Sequence, residues 1–290
     1  MYKIEAKEVS VNYKDFQALK NVSFSLEGNK IYGLIGRNGA GKTTFLSLLA
    51  AFQEASAGQI QVNGEDVFEN PEMMEKIALL YDVDYKDETE KVKNMLEVAK
   101  RYRPNYDDEY AMYLLERFKL PLDKPINKLS KGMQSAFNVV MGLACRTPIT
   151  IFDEVYLGMD APTREIFYKE LLEEQTNRPR MFILSTHLVS EMDHLFDEIV
   201  IIDQGEMLLH EDYESLVSKG VSITGDADVV DQFTQDKEIL NEQRLGQTKA
   251  VMVYGTLGND ELEKARDNGL DVGPVSLQDL FIHLTDGEES

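Results

Sequence analysis

Apolar residues along this chain change their period several times, and the changes mark its elements. Residues 2–12 alternate weakly and predict an edge strand, broken by Asn12-Tyr13-Lys14-Asp15. A second strand is predicted over Ala18–Leu26, a turn at Glu27-Gly28-Asn29, and a buried third strand over Lys30–Ile35. Thr44-Phe45-Leu46-Ser47-Leu48-Leu49-Ala50 reads as a helix running to about residue 52. Gly58–Gly64 predicts a short strand ended by a turn, and Ile77–Tyr81 a buried one. From Glu88 to about Leu120 the sequence is charged and follows a helical period, as at Val92, Met95, Leu96 and Ala99. Pro104–Asp108 interrupts that run and caps a second helix over 108–118. This region, about 83–145, reads either as a helical subdomain inserted into the sheet or as an ordinary crossover helix pair.

Strand logic resumes at Ile149–Asp153, followed by a helix around 161–176 with Asp160 as N-cap and Pro162 in the first turn. A strand at Met181–Ser185, a helix at 188–195 and a hairpin across Asp203-Gln204-Gly205 close the region near 215. Strands alternating with helices predict an α/β domain over 1–218, with a mostly parallel sheet covered on both faces. The rest, 219–290, predicts a small α+β domain. Its strands are expected at 221–224, 239–244, 248–254 and 269–273, its helices at 226–236 and 259–267. That β-α-β-β-α-β order is the ferredoxin-like pattern. A last helix starts at the capping sequence Ser276-Leu277-Gln278-Asp279 and carries the stripe Leu277, Leu280, Phe281, Leu284. No catalytic constellation falls there, so an accessory or dimerisation role is expected.

The chemistry gathers elsewhere. Gly36-Arg37-Asn38-Gly39-Ala40-Gly41-Lys42-Thr43-Thr44 fits the phosphate-binding pattern G-x-x-x-x-G-K-[ST], and it lies between a predicted strand and a predicted helix, the context the pattern requires. Glycines let successive N–H groups point at one anion, and the helix N-terminus adds partial positive charge. In such a loop Lys42 reaches the β- and γ-phosphates and the Thr43 hydroxyl holds Mg²⁺. Asp153 ends an apolar strand, where a carboxylate helps to hold the metal, and Glu154 follows as a group able to polarise an attacking water.

Composition narrows the partners. The formal net charge of −22 argues against nucleic acid as the main partner. No apolar run approaches the ~20 residues of a membrane-spanning helix, and Met1–Glu8 lacks the apolar core of a signal peptide. Cys145 is the single cysteine, which leaves no disulfide framework and suits a reducing cytoplasm. His194, His210 and His283 are expected to be structural, and the histidines show no zinc spacing.

In this order of motifs the chain resembles the ATP-binding subunits of ABC transporters over residues 2–215. Gly36–Thr44 resembles Walker A, Leu129–Gln134 the signature sequence, Ile149–Glu154 Walker B with Glu154 as the catalytic carboxylate, Gly158-Met159-Asp160 the D-loop and His187 the switch histidine. Tyr13 resembles the aromatic that stacks on adenine, although by sequence it reads equally as a surface tyrosine. The C-terminal extension resembles that of bacterial ABC-2-type exporters of the YtrB-like group. The resemblance implies a P-loop NTPase using ATP and Mg²⁺, a dimer with a second ATPase subunit (a copy or a paralogue), and a transmembrane permease on another chain. It places the protein at the cytoplasmic side of the cell membrane. Ser130, Lys131, Gly132 and Met133 are then expected to meet the γ-phosphate of ATP held by the other subunit. Two departures stand out. Lys131 and Met133 replace the usual small and polar signature residues, with Lys131 either near the γ-phosphate or solvated. Asp82 stands where a glutamine usually contacts the metal, so it enters as a further metal ligand with Thr43 and Asp153. The runner-up reading is an ABC ATPase of translation or DNA maintenance without a membrane partner.

Overall fold

The computed structural model describes residues 1–285, and residues 286–290 of the expected C-terminal domain lie outside the described residues. The chain forms two compact units, one of residues 1–187 with 200–210, the other of 188–199 with the chain from 211 onward. The expected boundary was a single cut after 218. Instead the chain leaves the first unit after His187, returns for residues 200–210, and leaves again.

The first unit opens with an antiparallel sheet of β1 (Lys3–Tyr13), β2 (Phe16–Glu27), β4 (Ala57–Val62) and β5 (Glu65–Asp66), ordered β2-β1-β4-β5. The expected edge strand is therefore an interior one, since β1 is hydrogen-bonded by β2 on one side and β4 on the other. The weak alternation has a physical cause. Ile4 and Ala6 are buried in one phase, Val9 and Val11 in the other, and the shift occurs at a bulge where Glu8 adopts φ 52°.

A second sheet, ordered β10-β9-β3-β8-β7-β6, is built from β3 (Ile31–Ile35), β6 (Ile77–Tyr81), β7 (Ile149–Asp153), β8 (Met181–Thr186), β9 (Glu198–Asp203) and β10 (Glu206–Asp212). The pairs β3–β8, β8–β7 and β7–β6 are parallel. Every residue of β3, β7 and β8 is buried, as continuous apolar runs in a covered parallel sheet require. α1 (Lys42–Leu49) packs Phe45, Leu46 and Leu49 into the core that the two sheets share. A short helix α2 (Pro71–Lys76), capped by Asn70, was not expected.

Between the neighbouring strands β6 and β7 stand α3 (Val92–Tyr102), α4 (Asp108–Arg117) and α5 (Lys131–Ala144). Asp107 caps α4 by accepting from Tyr110 N at 2.9 Å. Its other carboxylate oxygen takes Arg146, which also lies 3.2 Å from Glu174 of α6 (Ala161–Asn177). Glu174 is buried and pairs with Arg180 at the start of β8, so the helices are tied to the sheet by charge as well as by packing. Asp160 caps α6 as expected, accepting from Thr163 N at 3.0 Å.

In the second unit the expected helix 188–195 is a four-residue turn, α7 (Val189–Met192), followed by a 3₁₀ turn, and α8 (Tyr213–Val217) comes after the hairpin. Then follow β11 (Gly220–Asp226), α9 (Ala227–Thr234), β12 (Glu238–Leu245), β13 (Thr248–Tyr254), α10 (Asn259–Asp267), β14 (Asp271–Pro274) and α11 (Leu277–Thr285). The antiparallel sheet runs β12-β13-β11-β14 over a core of Ile223, Val230, Val251, Val253, Ala265 and Leu270. Ser276 caps α11 through Asp279 N at 3.1 Å, and α11 lies against α7 and α8.

Candidate functional site

The phosphate loop leaves β3 at Gly36 and enters α1 at Lys42. Gly41 has φ 108°, and a Cβ there would sit 2.9 Å from the Ala18 carbonyl oxygen, so only glycine fits. No side chain caps α1 and no acid stands in its first turn, which leaves its N-terminus electropositive. Lys42 is buried, and its Nζ donates to the carbonyls of Gly36 at 2.8 Å and Arg37 at 3.2 Å. Burial pushes its pKa down, while the carboxylates of Glu154 and Asp153 oppose that shift.

Asp153 ends β7 facing the loop. Its Oδ2 accepts from Thr43 Oγ1 at 2.8 Å, whereas its Oδ1 is buried without a hydrogen-bond partner. A buried carboxylate oxygen cannot be left without a partner at no cost, and beside a threonine hydroxyl it makes the hard-oxygen pair that suits Mg²⁺ bound together with phosphate and water. Among the described residues there is no cluster of three acidic, histidine or cysteine ligands, so a cage made of protein alone is not what this site offers.

Glu154 turns out of the strand at φ 52°. Its Oε1 lies 2.8 Å from His187 Nδ1 and 3.5 Å from Lys42 Nζ, so the carboxylate joins two other residues the sequence singled out. Tyr156, which sequence reasoning missed, places its hydroxyl 2.5 Å from Thr186 Oγ1 and so fixes the strand end from which His187 projects. No periodic signal marks that pair. It arises where the turn after β7 meets the end of β8.

The signature residues gather around a different hollow of about 300 Å³, lined by Ser130, Gly132, Met133, Gly158 and Asp160 among others. Ser130 caps α5, accepting from Met133 N at 3.3 Å. A Cβ on Gly132 would come within 2.8 Å of the Gly158 carbonyl oxygen, so the two turns touch through glycine. Hydrogen bonds to Thr163 pull the Asp160 carboxyl below its usual range. Asp82 follows Tyr81, whose Cα partner across the β6–β7 pair is Asp153. The Asp82 carboxylate is paired with Lys131. Tyr13 is 47% exposed and donates to Gln53 Oε1 at 2.6 Å, and Gln53 in turn reaches the Thr44 carbonyl at 3.5 Å.

A parallel sheet with a glycine loop feeding a helix, a lysine in the loop, and a carboxylate at the end of the strand two places along the sheet define a P-loop ATPase. Residues 19–156 match the ABC transporter family, and the chain is similar to the ATP-binding subunits of ABC transporters. It is 25% identical over 290 residues to the ABC transporter ATP-binding protein YtrB of Bacillus subtilis, covering 96% of this chain and 97% of that one. It is also 25% identical over 302 residues to the Nod factor export ATP-binding protein I of Burkholderia lata, covering 98% and 97%. A solved ATP binding subunit of an ABC transporter superposes with a TM-score of 0.65 at 26% identity, covering 73% of this chain and 91% of that one.

Proposed function

We propose that this protein is the ATPase subunit of an exporter, that it closes as a dimer on ATP, and that closure moves a permease carried on another chain. The observation that carries the chemistry is the Glu154 carboxylate set between Lys42 and His187. Lys42 leaves its own loop carbonyls for the phosphates. Glu154 takes a proton from the water that attacks the γ-phosphorus, and His187 holds Glu154 in place. Thr43 and Asp153 would hold Mg²⁺, which when bound neutralises charge on the transferring phosphoryl group. Ser130, Gly132 and their neighbours bind the γ-phosphate of the other subunit, and Tyr13 stacks on adenine.

The permease docks beside α3. An apolar hollow of about 190 Å³ lies there, lined by Leu79, Leu80, Met95, Tyr102, Met141 and Cys145 among others. Tyr102, 69% exposed, stands on its rim. No helix among the described residues is long and apolar enough to cross a membrane, so the protein would be held on the cytoplasmic side of the membrane through this contact. A relative named for Nod factor export supports the exporter reading. A narrower resemblance, to the ATPase of a staphylococcal phenol-soluble-modulin exporter, makes small secreted peptides the first cargo to try.

Glu154→Gln keeps size and removes the base, a change worth ~10²–10⁴ in rate. The variant should sediment as a dimer in ATP and return to weaker association in ADP, and Ser130→Arg added to it should abolish the ATP effect. Equal association in both nucleotides with undiminished turnover would reject the reading.

A further inference from the structure

Two buried oxygens near the phosphate loop have no hydrogen-bond partner, Asp153 Oδ1 and Ser185 Oγ. They belong to neighbouring strands and stand at the same level, because Asp153 and Ser185 are Cα partners across the parallel β7–β8 pair. Ser185 is fully buried and Asp153 nearly so. Successive side chains of a strand point to opposite faces, and register partners share one face. Two residues earlier, Ile151 and Ile183 pack with Phe45 and Leu46 of α1 in one cluster, as does Leu34, the partner of Ser185 on β3. Asp153 and Ser185 therefore lie on the face that α1 covers. Thr43, in the first turn of α1, meets Asp153 there through its hydroxyl at 2.8 Å. Three oxygen-bearing side chains thus stand on one side of the sheet at its carboxyl end.

The packing of the sheet does not account for the Ser185 hydroxyl. The other two hydroxyls of these strands are satisfied within the chain. Thr150 Oγ1 donates to the Thr147 carbonyl at 3.1 Å, and Thr186 Oγ1 lies 2.5 Å from Tyr156 OH on the opposite face. The Ser185 backbone is engaged too, its carbonyl accepting from Glu154 N at 3.4 Å. Only the side-chain oxygen is left over, among Leu34, Ile151 and Ile183. A buried hydroxyl without a partner costs stability, and an alanine at this position would not carry that cost. Two orphaned oxygens side by side, both able to accept, match an occupant that brings two hydrogens. Water bound to a cation is such an occupant, since its oxygen is committed to the metal. Mg²⁺ bound with phosphate keeps several waters of this kind.

We propose that Ser185 is a positioning residue of the metal site, and that its Oγ and Asp153 Oδ1 together hold one water of the Mg²⁺-ATP complex. Ser185 does not touch the metal or the phosphates. It acts through that water, which fixes the Asp153 carboxylate and leaves Oδ2 towards Thr43. This inference rests on the reading of Thr43 and Asp153 as the metal-holding pair.

The test is metal binding by the full chain. Mn²⁺ in place of Mg²⁺ is titrated into the ATP-bound protein and followed by electron paramagnetic resonance, and ATP affinity is measured separately in a metal chelator. Ser185→Ala should weaken Mn²⁺ by about tenfold or more, the scale on which an outer partner of a metal ligand acts, and leave metal-free ATP affinity at the parental value. Ser185→Cys keeps the volume with a poor acceptor and should behave as alanine does, which answers the question if the alanine variant packs badly. Ser185→Ala added to Asp153→Asn should cost nothing further, because the two residues share one water. Parental Mn²⁺ affinity in both Ser185 variants overturns the proposal. So does a metal-free ATP affinity that falls as far as the Mn²⁺ affinity, which would make Ser185 a packing residue, and so does a full additional loss in the double variant. Asp153→Asn alone separates the two readings. If it leaves Mn²⁺ affinity unchanged, the metal-holding pair itself fails. If it weakens Mn²⁺ while the Ser185 variants do not, only the role of Ser185 fails.

Discussion

The phosphate loop and the signature turn are both helix N-termini that offer backbone N–H groups to an anion, and they are finished in opposite ways. Around the first, Lys42, Thr43, Asp153, Glu154 and His187 are joined by hydrogen bonds and ion pairs within one chain. Around the second there is a hollow, a serine that caps its own helix, and glycines that let two turns touch. The first arrangement holds the groups to which the proposed function assigns the water attack. The second has surface for binding, and its charged groups are already engaged, Asp160 by Thr163 N and Lys131 by Asp82. On the function proposed above, the charge network marks where the chemistry occurs and the close backbone approach marks the face that receives a second subunit.

The sharpest way to break that comparison is at Lys42. Lys42→Ala should drive turnover to background and weaken ATP binding by about 10- to 150-fold, the worth of its charge-assisted bonds to phosphate. Calorimetry showing parental Mg-ATP affinity would remove the phosphate loop from the site. Next in size is Tyr102→Ala. Loss of a partly exposed aromatic anchor should weaken co-purification with the permease by about 30-fold while basal ATPase stays near parental. Undiminished co-purification would move the docking surface elsewhere.

Truncation after Ser218 comes third. It removes α11 from α7 and α8 and should lower the thermal midpoint by several degrees, at ~2–4 °C per kcal/mol for a chain of this size, yet leave nucleotide binding measurable. Lost binding in a truncated protein that retains its circular dichroism would give the second unit a part in the site. The smallest effect concerns Cys145. Burial pushes its thiol up to about 11, so the thiolate is scarce at neutral pH. Alkylation at pH 7.5 should run about 100-fold slower than for an exposed cysteine and accelerate only as pH rises towards that value. Fast labelling would show that the α3 hollow opens.

The two sites were not equally legible. Gly36–Thr44 and Asp153-Glu154 stood out because their meaning lies in adjacent residues between a strand and a helix. Tyr156 with Thr186, Tyr13 with Gln53 and Lys131 with Asp82 could not be read, because each pair joins residues far apart in the chain with no period to link them. β1 was misplaced at an edge because the bulge at Glu8 flips its alternation midway. α2 carried a readable signal in Asn70-Pro71, a cap followed by a residue suited to the first turn, but its six residues are too few to establish a period. The interleaving of the two units was out of reach. Residues 188–199 have the composition of an ordinary connecting helix, and only tertiary packing assigns them.

Glu154 carries its carboxylate on a backbone turned to φ 52°, a conformation that costs a residue with a Cβ about 1–2 kcal/mol. Glycine or asparagine would sit there with less strain. Selection for heat resistance alone would therefore favour replacing it and, on the proposed role of Glu154 as the base, would yield a sturdier protein that binds nucleotide without turning it over. The glutamate persists against the preference of the backbone beneath it, so any attempt to evolve this protein for robustness has to screen for activity in the same round.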